Sequence, residues 1–129
     1  GSGFFQNNVN IHEINLANNM VDSKGCEYLA DMLKENNDSL EVLDIAWNHV
    51  RTRGAVEIGQ AIGVNTSLVK LDLAWNGFGV EGCEQLSKSL VGNCSLMELN
   101  LTCNRLNDEA LKMILNALKE NSVLQKLKV

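Results

Sequence analysis

The sequence predicts an α/β solenoid, a row of near-identical strand, turn and helix units stacked side by side, and three observations carry that prediction. A pattern of the form Leu-x-x-Leu-x-Leu-x-x-Asn-x-Leu starts at residues 11, 40, 68 and 96 and, truncated, at 124, so its spacing is 29 residues once and 28 three times. Within each unit the apolar spacing changes from two to three and four, which is the change from a half-buried strand to one face of a helix. Finally, asparagine returns at the same place in four units, as Asn19, Asn48, Asn76 and Asn104. A unit of this length cannot bury its apolar face alone, so its copies must stack.

In chain order, Gly1-Ser2-Gly3 reads as a cloning remnant. Phe4 or Phe5 aligns with Leu33, the last apolar residue of a repeat helix, so the chain is expected to start inside a repeat, as it ends inside one at Val129. The expectation is one domain over residues 4–129, of about four and a half repeats and belonging to a longer protein. Each Leu-x-x-Leu-x-Leu is a short strand with one buried face. The asparagines at 19, 48, 76 and 104 are expected to satisfy backbone groups where the chain turns out of the strand. The segments Gly25–Leu33, Gly54–Ile62, Gly82–Leu90 and Ala110–Leu118 carry helical apolar spacing. The glycines are expected at helix starts, and Asn36, Asn65, Asn93 and Asn121 are expected to end the helices in the left-handed conformation that Asn tolerates.

These residues resemble the ribonuclease-inhibitor-like leucine-rich repeats, over about residues 4–129. The resemblance implies a right-handed α/β horseshoe, with a parallel sheet on the concave side and helices on the convex side. The family includes ribonuclease inhibitor, intracellular immune receptors, the Ran GTPase-activating protein and the carboxy-terminal domain of tropomodulin. Function on a shared fold is set by the residues the fold leaves free.

Those free residues form columns across the strands, because alternate side chains point to opposite faces. One column is Glu13, Val42, Lys70, Glu98 and Lys126; a second is Asn15, Asp44, Asp72, Asn100 and Lys128. A third holds Ala17, Ala46, Ala74 and Thr102, and a fourth Asn18, Trp47, Trp75 and Cys103. Trp47 and Trp75 fall in neighbouring repeats and read either as a binding anchor or as indoles packed on one another between repeats. Asp44 beside Asp72 is a like-charge pair suited to a basic group of a partner, or a solvated face neutralised by Lys70. The expected protein-binding set is Trp47, Trp75, Asp44, Asp72, Lys70 and Glu98.

Several functions find no support in the residues. The net charge of −5 and the lack of a concentrated basic face argue against nucleic acid. No apolar run approaches the roughly 20 residues of a membrane span. The four cysteines lack C-x-x-C spacing, which favours a reducing, cytoplasmic setting. His12 and His49 lie in different columns with no nucleophile in register, and no phosphate loop, dinucleotide fingerprint or metal motif occurs. No cofactor or metal is therefore expected, Cys26 and Cys83 belong to the helix core, and Cys103 is the one thiol expected at the surface. The N-x-Ser/Thr triplets at Asn37, Asn65, Asn93 and Asn100 are read as structural. Arg51, Arg53 and Arg105 are placed on the rim after the asparagine turn.

The reading is a non-enzymatic protein-interaction scaffold that binds a protein, with a basic patch, on its concave face. Alternatives are a regulatory module acting on an enzyme, of GTPase-activator or nuclease-inhibitor type, and a cytoskeletal module, since Leu29-Ala-Asp-Met-Leu-Lys-Glu-Asn-Asn37 is similar to tropomodulin repeats. Uncapped repeat ends suggest a homodimer.

Overall fold

The computed structural model describes residues 10–35 and 39–129. The readings placed on Gly1-Ser2-Gly3, Phe4, Phe5, Asn36 and Asn37 lie outside the described residues. Five three-residue strands alternate with four helices: β1 (Glu13–Asn15), α1 (Ser23–Glu35), β2 (Val42–Asp44), α2 (Thr52–Val64), β3 (Lys70–Asp72), α3 (Gly79–Gly92), β4 (Glu98–Asn100), α4 (Asp108–Leu118) and β5 (Lys126–Lys128). The strands form one parallel sheet in sequence order. Its register aligns Glu13, Val42, Lys70, Glu98 and Lys126 in one row and Asn15, Asp44, Asp72, Asn100 and Lys128 in another. Both columns read from the repeat are therefore real rows of the sheet.

Neighbouring strands lie about 4.8 Å apart whereas packed helices need roughly 8–10 Å. The stack must therefore arc with the sheet inside, giving the α/β solenoid with a concave sheet. Between the two layers runs a single core, in which Leu43, Leu71 and Leu99 from the strands meet Ile58, Leu86 and Ile114 from the helices.

The helices approach closely because small residues face their neighbours. A Cβ built on Gly82 of α3 would lie 2.9 Å from Ala55 Cβ of α2 and 2.7 Å from Phe78 Cδ2, and Phe78 is fully enclosed. Gly82→Ala is expected to lower stability by about 1–2 kcal/mol despite the better helix propensity of alanine, because overpacking outweighs it. Thermal or urea unfolding measures this, and an unchanged or raised midpoint would contradict the tight α2–α3 contact.

Two asparagine ladders bind the repeats edge to edge. In the first, Asn48 Nδ2 donates to Ile45 O and to Leu16 O of the preceding repeat, and Asn76 and Asn104 repeat the arrangement with Leu73, Ile45 and Leu101 carbonyls. Their Oδ1 atoms accept from Val21, Val50 and Phe78 N–H respectively. The expectation for this column holds. The second ladder corrects the expectation for the helix ends. Asn65 (φ −69°, ψ 137°) and Asn93 (φ −72°, ψ 129°) are extended, not left-handed. Asn65 Nδ2 donates to Leu33 O of the preceding repeat while Oδ1 accepts from Ser67 and Leu68 N–H. Asn93 and Asn121 do the same with Ile62 O and Leu90 O. A side chain that must reach both the previous repeat and the next strand needs an extended backbone, and so helix ending is the lesser part of its role.

Candidate functional site

The ladder between neighbouring strands is continued beyond the three-residue strands by further backbone bonds. At the start of a strand, two successive N–H groups share one carbonyl of the preceding repeat, as Val69 and Lys70 do on Glu41 O. Beyond its end, Asn18 N–H donates to Ala46 O, Trp47 N–H to Ala74 O and Trp75 N–H to Thr102 O. The chain then turns sharply: Asn18, Trp47, Trp75 and Cys103 have φ of 60°, 57°, 58° and 58°. That region is natural for Asn but strained for a bulky residue, at a cost of roughly 1–2 kcal/mol. The conformation persists because the N–H bond before it and the asparagine bridge after it hold the backbone on both sides. Composition alone gives no hint of it; the alignment of Trp47 with Asn18 does.

The turn aims both indoles outward on the rim of the sheet. Trp47 and Trp75 stack with centroids 4.3 Å apart and planes 12° from parallel, yet remain 52% and 47% exposed. Packing between repeats and availability to a partner are thus both present. Stacking fixes one rotamer for each ring and so lowers the ordering entropy left for binding.

In the second row, side-chain Oδ1 accepts from the N–H two residues on at every strand from β1 to β4: Ala17 on Asn15, Ala46 on Asp44, Ala74 on Asp72 and Thr102 on Asn100. Asp44 and Asp72 face one another across adjacent strands, and among the described residues neither forms an ion pair. Lys70, the alternative source of neutralisation, makes no ion pair with either within 4 Å among the described residues. Because Asn15 and Asn100 make the same turn, Asp44→Asn with Asp72→Asn should keep the turn and remove the repulsion. The double variant is expected to melt roughly 2 °C higher, for about 0.5 kcal/mol gained. A melting point unchanged or lowered would contradict the repulsion.

In the first row Glu98 pairs with Lys126 at 3.8 Å. Lys70, Asp72, Glu98, Asn100, Lys126 and Lys128 surround a hollow floored by Leu71 and Leu99, of about 90 Å³. Small-molecule sites run to roughly 300 Å³ and more, so the hollow suits a single side chain. Asn100, Lys126 and Lys128 join the site: the columns read from the repeat place them beside Glu98 and Asp72, but the expected binding set leaves them out.

The remaining candidates fall away from this face. His12 Nδ1 lies 2.9 Å from Ser39 O and 4.0 Å from Glu41, in the segment that leads into β2. Arg53 is tied to Glu57 at 3.0 Å one helical turn on. Cys26 and Cys83 are enclosed between helices, where burial pushes their thiols up to about 12 and about 11. Both are therefore neutral packing groups at physiological pH. Cys103 is exposed as expected, but Cys94, in the turn after α3, is exposed as well, which corrects the expectation of a single accessible thiol. Asn65 and Asn93 are buried bridges, in keeping with a structural reading of their triplets. Among the described residues no group of three or more His, Cys, Asp or Glu could hold a metal, and no helix is long and apolar enough to cross a membrane.

Comparison with known proteins agrees with this architecture. A family profile described as "Leucine Rich repeat" matches residues 36–59, 64–87 and 92–115, together more than half of the chain. No curated protein sequence matches. Solved structures similar to the chain include leiomodin-1 actin-binding site 2, at 22% identity and a TM-score of 0.85 over 94% of this chain and 71% of that one. The carboxy-terminal domain of a Caenorhabditis elegans tropomodulin is similar at 21% identity and a TM-score of 0.78, over 95% and 75%. At such identities the likeness establishes the fold. The chain belongs to the leucine-rich repeat family, whose stacked units serve as protein-interaction scaffolds.

Proposed function

We propose that this protein is a non-enzymatic scaffold that docks a protein partner on the concave sheet and its tryptophan rim. The observation that carries this is the Trp47–Trp75 stack, preformed and about half exposed, beside the Asp44–Asp72 pair. Rigid aromatic pairs bury much area for little lost entropy, and the acidic pair favours a basic patch on the partner. Lys70 and Glu98 flank the same surface. The long repeat with a full helix on its outer side supports the ribonuclease-inhibitor-like subtype, and the free thiols support a cytoplasmic setting. Self-association through apolar side chains such as Leu115 is a further proposal, and a light-scattering mass of one chain at high concentration would contradict it.

A second reading is a cytoskeletal module. Its support is the likeness in fold to a chain titled as an actin-binding site and to a tropomodulin domain. Co-sedimentation with actin filaments tests it: enrichment in the pellet that saturates with filament concentration supports this reading, and recovery in the supernatant at all concentrations removes it. The broader scaffold reading is tested by affinity capture from cytosol with the wild-type chain and with Trp47→Asn, Trp75→Asn. Partners retained equally by both would remove the tryptophan rim from the docking face.

A further inference from the structure

The second row of the sheet carries a polarity that the repeat alone does not require. In Asn15, Asp44, Asp72 and Asn100, Oδ1 is committed to the N–H two residues on. One atom of each side chain remains for a partner, and its chemistry changes along the row. At Asp44 and Asp72 it is a carboxylate oxygen, which accepts and carries negative charge. At Asn100 it is the amide nitrogen, which donates. The assignment is secure because a backbone N–H can be received only by the oxygen. Next in the row comes Lys128, exposed on β5, and the hollow that Asn100 shares with it is edged by three lysines, Lys70, Lys126 and Lys128, against two carboxylates, Asp72 and Glu98. Lys126 is engaged with Glu98 at 3.8 Å, which leaves Lys70 and Lys128 as the lysines of the hollow that form no ion pair among the described residues.

Resting on the docking face proposed above, we infer that this face is polarised and fits a protein surface presenting a basic and an acidic side chain together. The basic one sits between Asp44 and Asp72, beside the stacked indoles. The acidic one sits between Asn100 and Lys128. The two seats are separated by two strand spacings, roughly 10 Å. Opposite charges on the partner meet opposite charges on the sheet, and a partner turned end for end meets like charges at both seats. The face therefore sets orientation as well as affinity.

The test uses Gly-Ser decapeptides carrying one Arg, one Glu, or an Arg and a Glu three residues apart, a spacing that spans about 10 Å when extended. They are titrated into the ¹⁵N-labelled chain and followed by NMR. The Arg peptide is expected to move the amides of Ala46 and Ala74, which border Asp44 and Asp72. The Glu peptide is expected to move the Asn100 side-chain amide and the Lys128 N–H. The peptide with both charges should bind at least roughly fivefold tighter than either alone, through the effective concentration of the second group. In Asp44→Asn with Asp72→Asn, which keeps the turn bonds, the Arg response should vanish and the Glu response remain. Single-charge peptides that move the same amides, or no amides, overturn the polarity. A whole partner that shifts the two indoles without regard to charge placement overturns the polarity alone. A partner that binds away from the indoles, while the peptides keep their separate seats, overturns the docking reading instead.

Discussion

Asn104→Ala is expected to lose about 3 kcal/mol of stability and to melt roughly 10 °C below the wild type. Asn104 is 1% exposed; its Nδ2 donates to Leu73 O at 2.7 Å and Leu101 O at 3.2 Å, and its Oδ1 accepts from Phe78 N–H at 3.2 Å. Removing it deprives one donor, Phe78 N–H, and three acceptors, the carbonyls of Leu73, Leu101 and Thr102, of their side-chain partner across two repeats. Each orphaned group costs about 1–3 kcal/mol, and the carbonyls recover part of that through their second lone pair. The internal control is Asn19→Ala. Asn19 holds the same place in the first repeat but is exposed, bonding only to Leu16 O and Ala17 O of its own turn. Its loss should cost under about 0.5 kcal/mol. Chemical unfolding of the two variants reads the difference, and equal midpoints would mean that the ladder does not tie the repeats together.

Replacing the indoles should separate binding from folding. Trp47→Asn with Trp75→Asn is expected to weaken partner binding about 100-fold or more, since buried tryptophan anchors contribute about 2 kcal/mol or more each and 1.4 kcal/mol is a factor of ten. The same variant should remain folded. Asparagine tolerates the left-handed backbone that these positions require, and Asn18 already occupies the equivalent turn in the first repeat. The relief of strain offsets the lost contact between the rings, so the melting point should move by less than about 4 °C. Titration calorimetry with the captured partner measures the affinity and thermal unfolding the stability. Full affinity in a folded variant would contradict the role assigned to the rim.

Much of this architecture was legible in the residues. Leucine spacing places β1 to β5, and the offset of 28 residues sets their register, so both sheet rows follow from counting. The buried faces of α1 to α4 follow from spacings of three and four, as Ile58, Ile62, Leu86 and Leu90 illustrate. What stayed hidden depends on partners a repeat away. Asn65 suggests a left-handed helix end when only its neighbours are considered, but its amide bonds to Leu33, 32 residues back, and this fixes it in an extended conformation. The left-handed turn at Trp47 and Trp75 runs against the preference of the side chain and is imposed by the bonds of Trp47 N–H and Trp75 N–H to the next repeat. Of the site, the indole stack and the facing aspartates were readable as neighbours. Which oxygen each aspartate keeps free was not, because it depends on the turn that follows the strand.

Whether the stacked indoles act as a preformed docking element is read from the indole N–H resonances. The chain has two tryptophans, so a ¹⁵N-labelled sample gives two indole signals. On saturation with the partner recovered by capture, or with monomeric actin if the cytoskeletal reading holds, both signals should shift together and exchange more slowly with solvent. Saturated binding with both signals unmoved would contradict that role.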